Sequence, residues 1–249
     1  MQEYWEVYMK PLEGHPAMVS FNVSVSEGMP DMALGYVGFV KVPLLHPTKE
    51  GLISAEEEGD IGFMEDSLEM ESLRYRIGTY VGRIVTKSEI NFIYYLKYEF
   101  EWKDTVNAAM KKFPNYTFEM GSRADLEWEV YQKLLYPTSS QWQIIQNHNS
   151  CDALVKAGDR LKIGRAIEHK IYFESREERD SFRKVIEEDG FLIQKEIEPT
   201  EEITLYALQF YRVDIPFYYN IDELTLEIIS KGDLHNGQYD GWETSLVKE

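Results

Sequence analysis

Few residues in this chain have both the type and the spacing that chemistry needs. His148 and Cys151 stand three apart on a stretch with helical character, where an imidazole and a thiol can touch and act as base and nucleophile. A lone cysteine on a helix is, equally, a small buried hydrophobe. His169 opens a strand and His235 lies in the loop before Tyr239, so a sheet that brings both to one edge could bind a metal with Asp240; solvated strand-end and loop histidines are the simpler reading. Carboxylates gather at Glu56-Glu57-Glu58, at Glu65-Asp66 with Glu69 and Glu71, at Glu187-Glu188-Asp189 and along Glu196 to Glu202. Acid–base work would require burial or close pairing to separate their pKa values. The spacing of these runs predicts solvent-facing surface instead, able to dock a basic partner. Nucleotide-binding glycine loops, a Gly-x-Ser-x-Gly elbow, a His-Glu-x-x-His helix and paired Cys-x-x-Cys motifs are all missing from the sequence. No catalytic, cofactor or metal site is therefore expected, with an enzyme site assembled from distant carboxylates and histidines as the alternative.

Composition narrows the partners. The 249 residues carry 26 basic and 44 acidic side chains, a net charge of -18. Such a charge repels nucleic-acid backbones and anionic membranes and favours basic proteins. One cysteine excludes an internal disulfide and fits a reducing compartment. The opening residues from Met1 to Lys10 lack the apolar core of a signal peptide, and no apolar run approaches membrane-spanning length. A cytoplasmic protein is expected. Oligomeric state is not legible in the sequence.

The elements that would position any site fall into two halves. Tyr136-Pro137-Thr138-Ser139-Ser140 joins them, because proline blocks helix continuation and the serines can cap a new helix. The expected domains are residues 1–138 and 139–249, with 13 basic and 22 acidic residues in each, or -9 per half. Acidity thus belongs to both.

In the second half, a helix with Ser140 and Gln143 at capping-box spacing carries Trp142, Ile145, Leu154 and Val155 on one face and stops at Gly158. A strand at His169 to Phe173 follows, then a helix capped by Ser175 and Glu178 with Phe182, Val185 and Ile186 on one face. Strands at Phe191 to Ile197 and Ile203 to Val213, a helix capped by Asn220 with Glu223, and a last strand from Trp242 to Val247 complete the order β-α-β-β-α-β, the ferredoxin-like arrangement of two helices on one face of an antiparallel sheet. In the first half, alternating runs at Tyr4 to Met9, Met18 to Val25, Gly35 to Val42, Tyr80 to Val85 and Ile90 to Tyr98 predict a mostly antiparallel sheet. Ser54 and Glu57 are expected to cap a helix carrying Ile61, Met64 and Leu68, and Asp104 another. Tyr116 to Met120 reads as a strand and Leu126 to Leu135 as a helix. The fold class is α+β, in two domains.

Aromatic strands at Tyr172-Phe173 and Tyr206 to Tyr211 could stack RNA bases. At -9 per half, phosphate repulsion opposes this, and the aromatics read as core. Tyr239-Asp240-Gly241-Trp242, between a helix and a strand, reads as a turn: Gly241 for an unusual backbone angle, Asp240 as its cap, Trp242 packed on the sheet. These four are the candidate signature and interaction residues.

The tetrapeptide, with the Trp142 helix, His169-Lys-Ile-Tyr-Phe173, the Ser175-x-x-Glu178 helix, Gly190-Phe191 and Asp222-Glu223-Leu224-Thr225, resembles the family of the regulator of ribonuclease E activity B. The resemblance implies a ferredoxin-like fold and a non-enzymatic protein that binds an endoribonuclease or its scaffold and restrains RNA cleavage by protein contact. It assigns no contact residue. Trp5-Glu6-Val7-Tyr8, Arg83-Ile84-Val85, Phe92 with Tyr94-Tyr95, and Leu134-Leu135-Tyr136-Pro137 make the first half resemble a domain of unknown function (DUF695) found fused upstream of that module.

Overall fold

Strands whose two faces are both apolar must be covered on both sides, and the run from Gly78 to Leu96 has that character. In the computed structural model, which describes residues 3–201 and 204–248, the run lies at the middle of a six-stranded sheet. The chain divides into two units, one ending at Thr138 and the other beginning at Ser139.

The first unit comprises β1 (Trp5–Leu12), β2 (His15–Asn22), β3 (Tyr36–Pro43), α1 (Glu58–Tyr75), β4 (Gly78–Thr86), β5 (Glu89–Leu96), α2 (Trp102–Met110) and β6 (Glu119–Ala124). Its strands run in the order β1-β2-β4-β5-β3-β6, every neighbouring pair antiparallel. On one face, Ile61, Met64 and Leu68 of α1 and Trp102 and Val106 of α2 join a core with Val40, Val42, Phe92 and Tyr94. On the other face Tyr95 stacks on Trp128 at 3.9 Å. Three hydrogen bonds fix the covering segment: Trp128 Nε1 donates to the Leu34 carbonyl at 3.0 Å, the Tyr131 hydroxyl to that of Asn22 at 2.7 Å and the Tyr8 hydroxyl to that of Leu135 at 3.1 Å.

Local expectations differ from the structure where side chains were drawn elsewhere. The expected helix over Leu126 to Leu135 begins late, because Trp128 adopts a left-handed backbone (φ 55°) and the Asp125 carboxylate captures Glu129 N and Val130 N at 2.8 and 3.0 Å. Glu129 and Val130 form a helical start that runs into a short turn of π character, Tyr131–Leu135. Ser54 and Glu57 form no capping box: Glu57 is buried, and its two oxygens take Leu45 N at 2.7 Å and His46 N at 2.8 Å. The second helix starts at Trp102 after Glu101, which leaves Asp104 in its first turn, where negative charge favours the helix dipole. Tyr116 closes a turn onto the Phe113 carbonyl at 3.1 Å, so strand pairing begins only at Glu119.

The second unit comprises α3 (Ser139–Lys156), β7 (Arg165–Phe173), α4 (Arg176–Glu188), β8 (Leu192–Ile197), β9 (Tyr206–Asp214), α5 (Tyr218–Asp233) and β10 (Gln238–Thr244). After α3 the order is βαββαβ, as expected, and the sheet runs β10-β7-β9-β8 with antiparallel neighbours throughout. Ile167, Ile171, Phe173, Leu208 and Phe210 form its core with Phe182 and Ile186 of α4 and Ile221, Leu224 and Ile228 of α5. Both bonds of the Ser175–Glu178 capping box are formed. Ile203, expected to open a strand, and Glu202 lie outside the described residues; β9 begins at Tyr206. Asn220 does not cap α5, which starts two residues earlier, and its amide donates to the Ile215 carbonyl at 3.3 Å. Val155 is 46% exposed, so the apolar face of α3 runs through Ile145, Cys151 and Leu154. No helix among the described residues is long and apolar enough to cross a membrane.

Removing the cap in Ser175→Ala is expected to cost about 1 kcal/mol, and emptying the stacked site in Trp128→Ala about 3–5 kcal/mol. Urea unfolding followed by circular dichroism measures both.

Candidate functional site

Gly241 decides how the signature tetrapeptide sits. In the β10–β7 ladder Tyr239 pairs with Ile171 and Gly241 with Lys170, so Asp240 is an extra residue in a β-bulge. Gly241 has φ +140°, which side-chain-bearing residues rarely adopt. The inserted residue resets the alternation along the strand, and Tyr239 and Trp242 both pack against the core on the helix side. The tetrapeptide is thus part of β10, which begins at Gln238 rather than Trp242, and Asp240 is a bulge residue rather than a turn cap.

Each aromatic then finds a buried polar partner. The Tyr239 hydroxyl and His169 Nδ1 share a 2.8 Å hydrogen bond. His169 lies between Phe210 and Phe191, with ring centroids at 5.5 and 5.8 Å. Its Nε2 is buried without a partner. Burial, helped by the nearby Arg212, pushes its pKa down to about 3, so the ring is neutral. Trp242 Nε1 donates to Asn147 Oδ1 at 2.9 Å. Asn147, fully buried on α3, also receives Gln143 Nε2 at 2.9 Å and donates to Asp222 Oδ1 at 2.9 Å and Thr225 Oγ1 at 2.8 Å. All the bonding capacity of its amide is used.

The residues considered for chemistry do not converge. The Cys151 thiol is buried 3.7 Å from the Pro216 carbonyl, and burial pushes its pKa up to about 12, far from a reactive thiolate. His148 turns to Asp222, at 2.8 Å. His235 packs edge-on against Phe182 while Asp240 faces Lys170 at 3.7 Å. Among the described residues no three metal-ligating side chains gather. Several acidic residues expected to face solvent are committed to ion pairs. Glu196 and Glu198 hold the buried Arg179 at 3.0 and 2.9 Å, Asp189 holds Lys231 at 2.6 Å, and Glu65 holds Arg83.

The sheet face away from the helices is of another kind. A cleft of about 310 Å³ opens there, lined by Glu168, Lys170, Gln194, Gln209, Asp240 and Glu243, with Gly241 and Trp242 at its side. Glu168 and Glu243 are direct cross-strand partners in the β7–β10 register. Sequence reasoning missed both, as it missed Asn147, because only strand pairing and helix docking bring such residues together.

Two family models match this two-unit α+β chain, one within each unit. Residues 3–136, more than half of the chain, match the family of unknown function DUF695, and the protein belongs to that family. Residues 144–244 match the model of the family Regulator of ribonuclease activity B. No curated protein matches. A crystal structure of an unknown protein from Galdieria sulphuraria aligns over 84% of this chain and 97% of its own length, at 10% identity and a TM-score of 0.23, a superposition too loose to carry an argument.

Asn147→Leu leaves the Trp242 indole and the Gln143 amide without their acceptor and removes one bond each from Asp222 and Thr225, with an expected cost of about 3–5 kcal/mol; Trp242→Phe removes one bond for about 1–2 kcal/mol, both read by denaturant titration. The folded pKa of His169 lies below its unfolded value, so the unfolded chain binds the extra proton. Its contribution is full above about pH 6.5 and declines as pH falls toward about 3. The slope reaches at most about 1.4 kcal/mol per pH unit, and His169→Gln is expected to flatten it in the same titration. Asp159 acts lower: burial opposes its ionisation, but Val247 N, Leu161 N and Arg165 hold its pKa below the usual range, so its contribution is lost only as pH falls through that depressed value.

Proposed function

We propose that this protein is a non-enzymatic cytoplasmic regulator that binds an RNA-processing endoribonuclease of the ribonuclease E kind, or its scaffold, and restrains cleavage by protein contact. The observation that carries this reading is the match of residues 144–244 to Regulator of ribonuclease activity B. The side chains that could do chemistry support it from another direction, since Cys151 and His169 are sealed in the core and His148 is tied to Asp222.

Charge supports a basic partner in preference to RNA. The chain carries -18. On the open sheet face the aromatic side chains come from Tyr172 and Tyr211, and Lys170 lies over the Tyr172 ring at 4.6 Å, which leaves little exposed base-stacking surface with a positive field around it. In this reading Tyr239 and Trp242 hold the fold, while Asp240 and Gly241 stand on the side open to a partner.

Titrating the full chain into a purified ribonuclease E-type enzyme with a fluorogenic RNA is expected to lower the cleavage rate. The two proteins are expected to associate directly, more weakly as salt rises. Cleavage and affinity unchanged at saturating chain would refute the proposal.

A further inference from the structure

We propose that the open face of the C-terminal sheet is the partner-binding surface, and that its occupant is an arginine- or lysine-bearing protein segment whose cation sits between Glu168 and Glu243. The inference rests on the regulator reading and adds to it the surface and the contact chemistry.

Register is the starting point. Glu243 lies directly opposite Glu168, and like charges directly opposed on one sheet face destabilise the sheet. Among the described residues no cation relieves either carboxylate. The described ion pairs and side-chain hydrogen bonds include neither residue, and the nearest ammonium among the cleft residues, Lys170, is engaged by Asp240 at 3.7 Å and lies over Tyr172. Elsewhere in the same unit carboxylates are matched with care: Glu196 and Glu198 with Arg176, Arg179 and Arg183, and Asp189 with Lys231. The unmatched pair stands where there is room for a guest, in the cleft of about 310 Å³ with three carboxylates and one ammonium on its walls.

Chemistry on the walls favours a peptide over a bare cation. Gln194 and Gln209 offer amide donors and acceptors to a main chain. Leu192 and Val213, 58% and 65% exposed, supply apolar contact on β8 and β9. A guanidinium between the two glutamates would make charge-assisted hydrogen bonds to both. Polyanionic RNA would meet the same carboxylates as repulsion.

The test uses the full chain, a fluorescent peptide of alternating arginine and serine, and single-stranded RNA of similar length. Glu168→Gln/Glu243→Gln is compared with Glu177→Gln/Glu188→Gln, which removes equal charge from α4. The cleft variant is expected to weaken peptide binding at least ~10-fold and the α4 variant less than ~2-fold. Amide shifts on peptide addition are expected along β7, β9 and β10. The cleft variant is expected to melt no lower than wild type, since it relieves a repulsion. Equal weakening by both variants, shifts elsewhere, a lowered melting midpoint, or RNA binding in the cleft in place of the peptide would each overturn the proposal. Repeating the ribonuclease titration separates the two readings. Inhibition by wild type and equally by the cleft variant refutes this surface alone. Peptide capture in the cleft without inhibition refutes the regulator reading alone.

Discussion

Asn147 is the side chain on which the architecture of the C-terminal unit turns. A buried primary amide is tolerable only when its donors and acceptor are all matched. Here Gln143 and Trp242 satisfy the oxygen, and Asp222 and Thr225 the nitrogen. The four partners come from α3 itself, from α5 and from β10. One residue therefore fixes the helix that precedes the βαββαβ order against the last helix and the last strand. Apolar packing could hold these elements close with some freedom to slide, whereas the directional bonds allow a single arrangement.

That arrangement depends in turn on the bulge at Asp240. An unbroken strand would have placed Tyr239 and Trp242 on opposite faces, because side chains alternate. With one residue inserted and Gly241 supplying the backbone angle, both aromatics reach the helix side, where His169 and Asn147 wait for them. The same insertion turns Asp240 toward the open face. A short motif thereby divides labour between the two sides of a sheet, structural on one and available on the other.

Acidity is also divided. Composition alone treats 44 acidic residues as one population, yet the structure separates them by what they face. Glu57 is buried against the Leu45 and His46 amides, Asp159 against Arg165 and the Val247 amide, and Glu196 and Glu198 against the arginines of α4. Each of these contacts lies inside a single unit and stabilises that unit. Glu168 and Glu243 do not, and the difference between the two sets gives the negative charge a direction that its sum lacks.

The amino-acid sequence by itself determined the elements. Apolar alternation and helical spacing located nearly every strand and helix, Pro137 and the serines after it marked the joint, and the Ser175–Glu178 cap formed as its spacing dictates, because all of these depend on residues a few positions apart. The tetrapeptide was visible too, though its role as a bulge inside β10 was not. Tertiary structure decided the rest. Glu57 left its local cap for the Leu45 and His46 amides, Asn147 met Trp242 across the fold, and Glu168 met Glu243 across a strand ladder. Each of these is a pairing between residues far apart in the chain, or a competition won by a distant partner. Local periodicity does not encode it, because a side chain's hydrogen-bond partner is chosen by where the folded backbone delivers it.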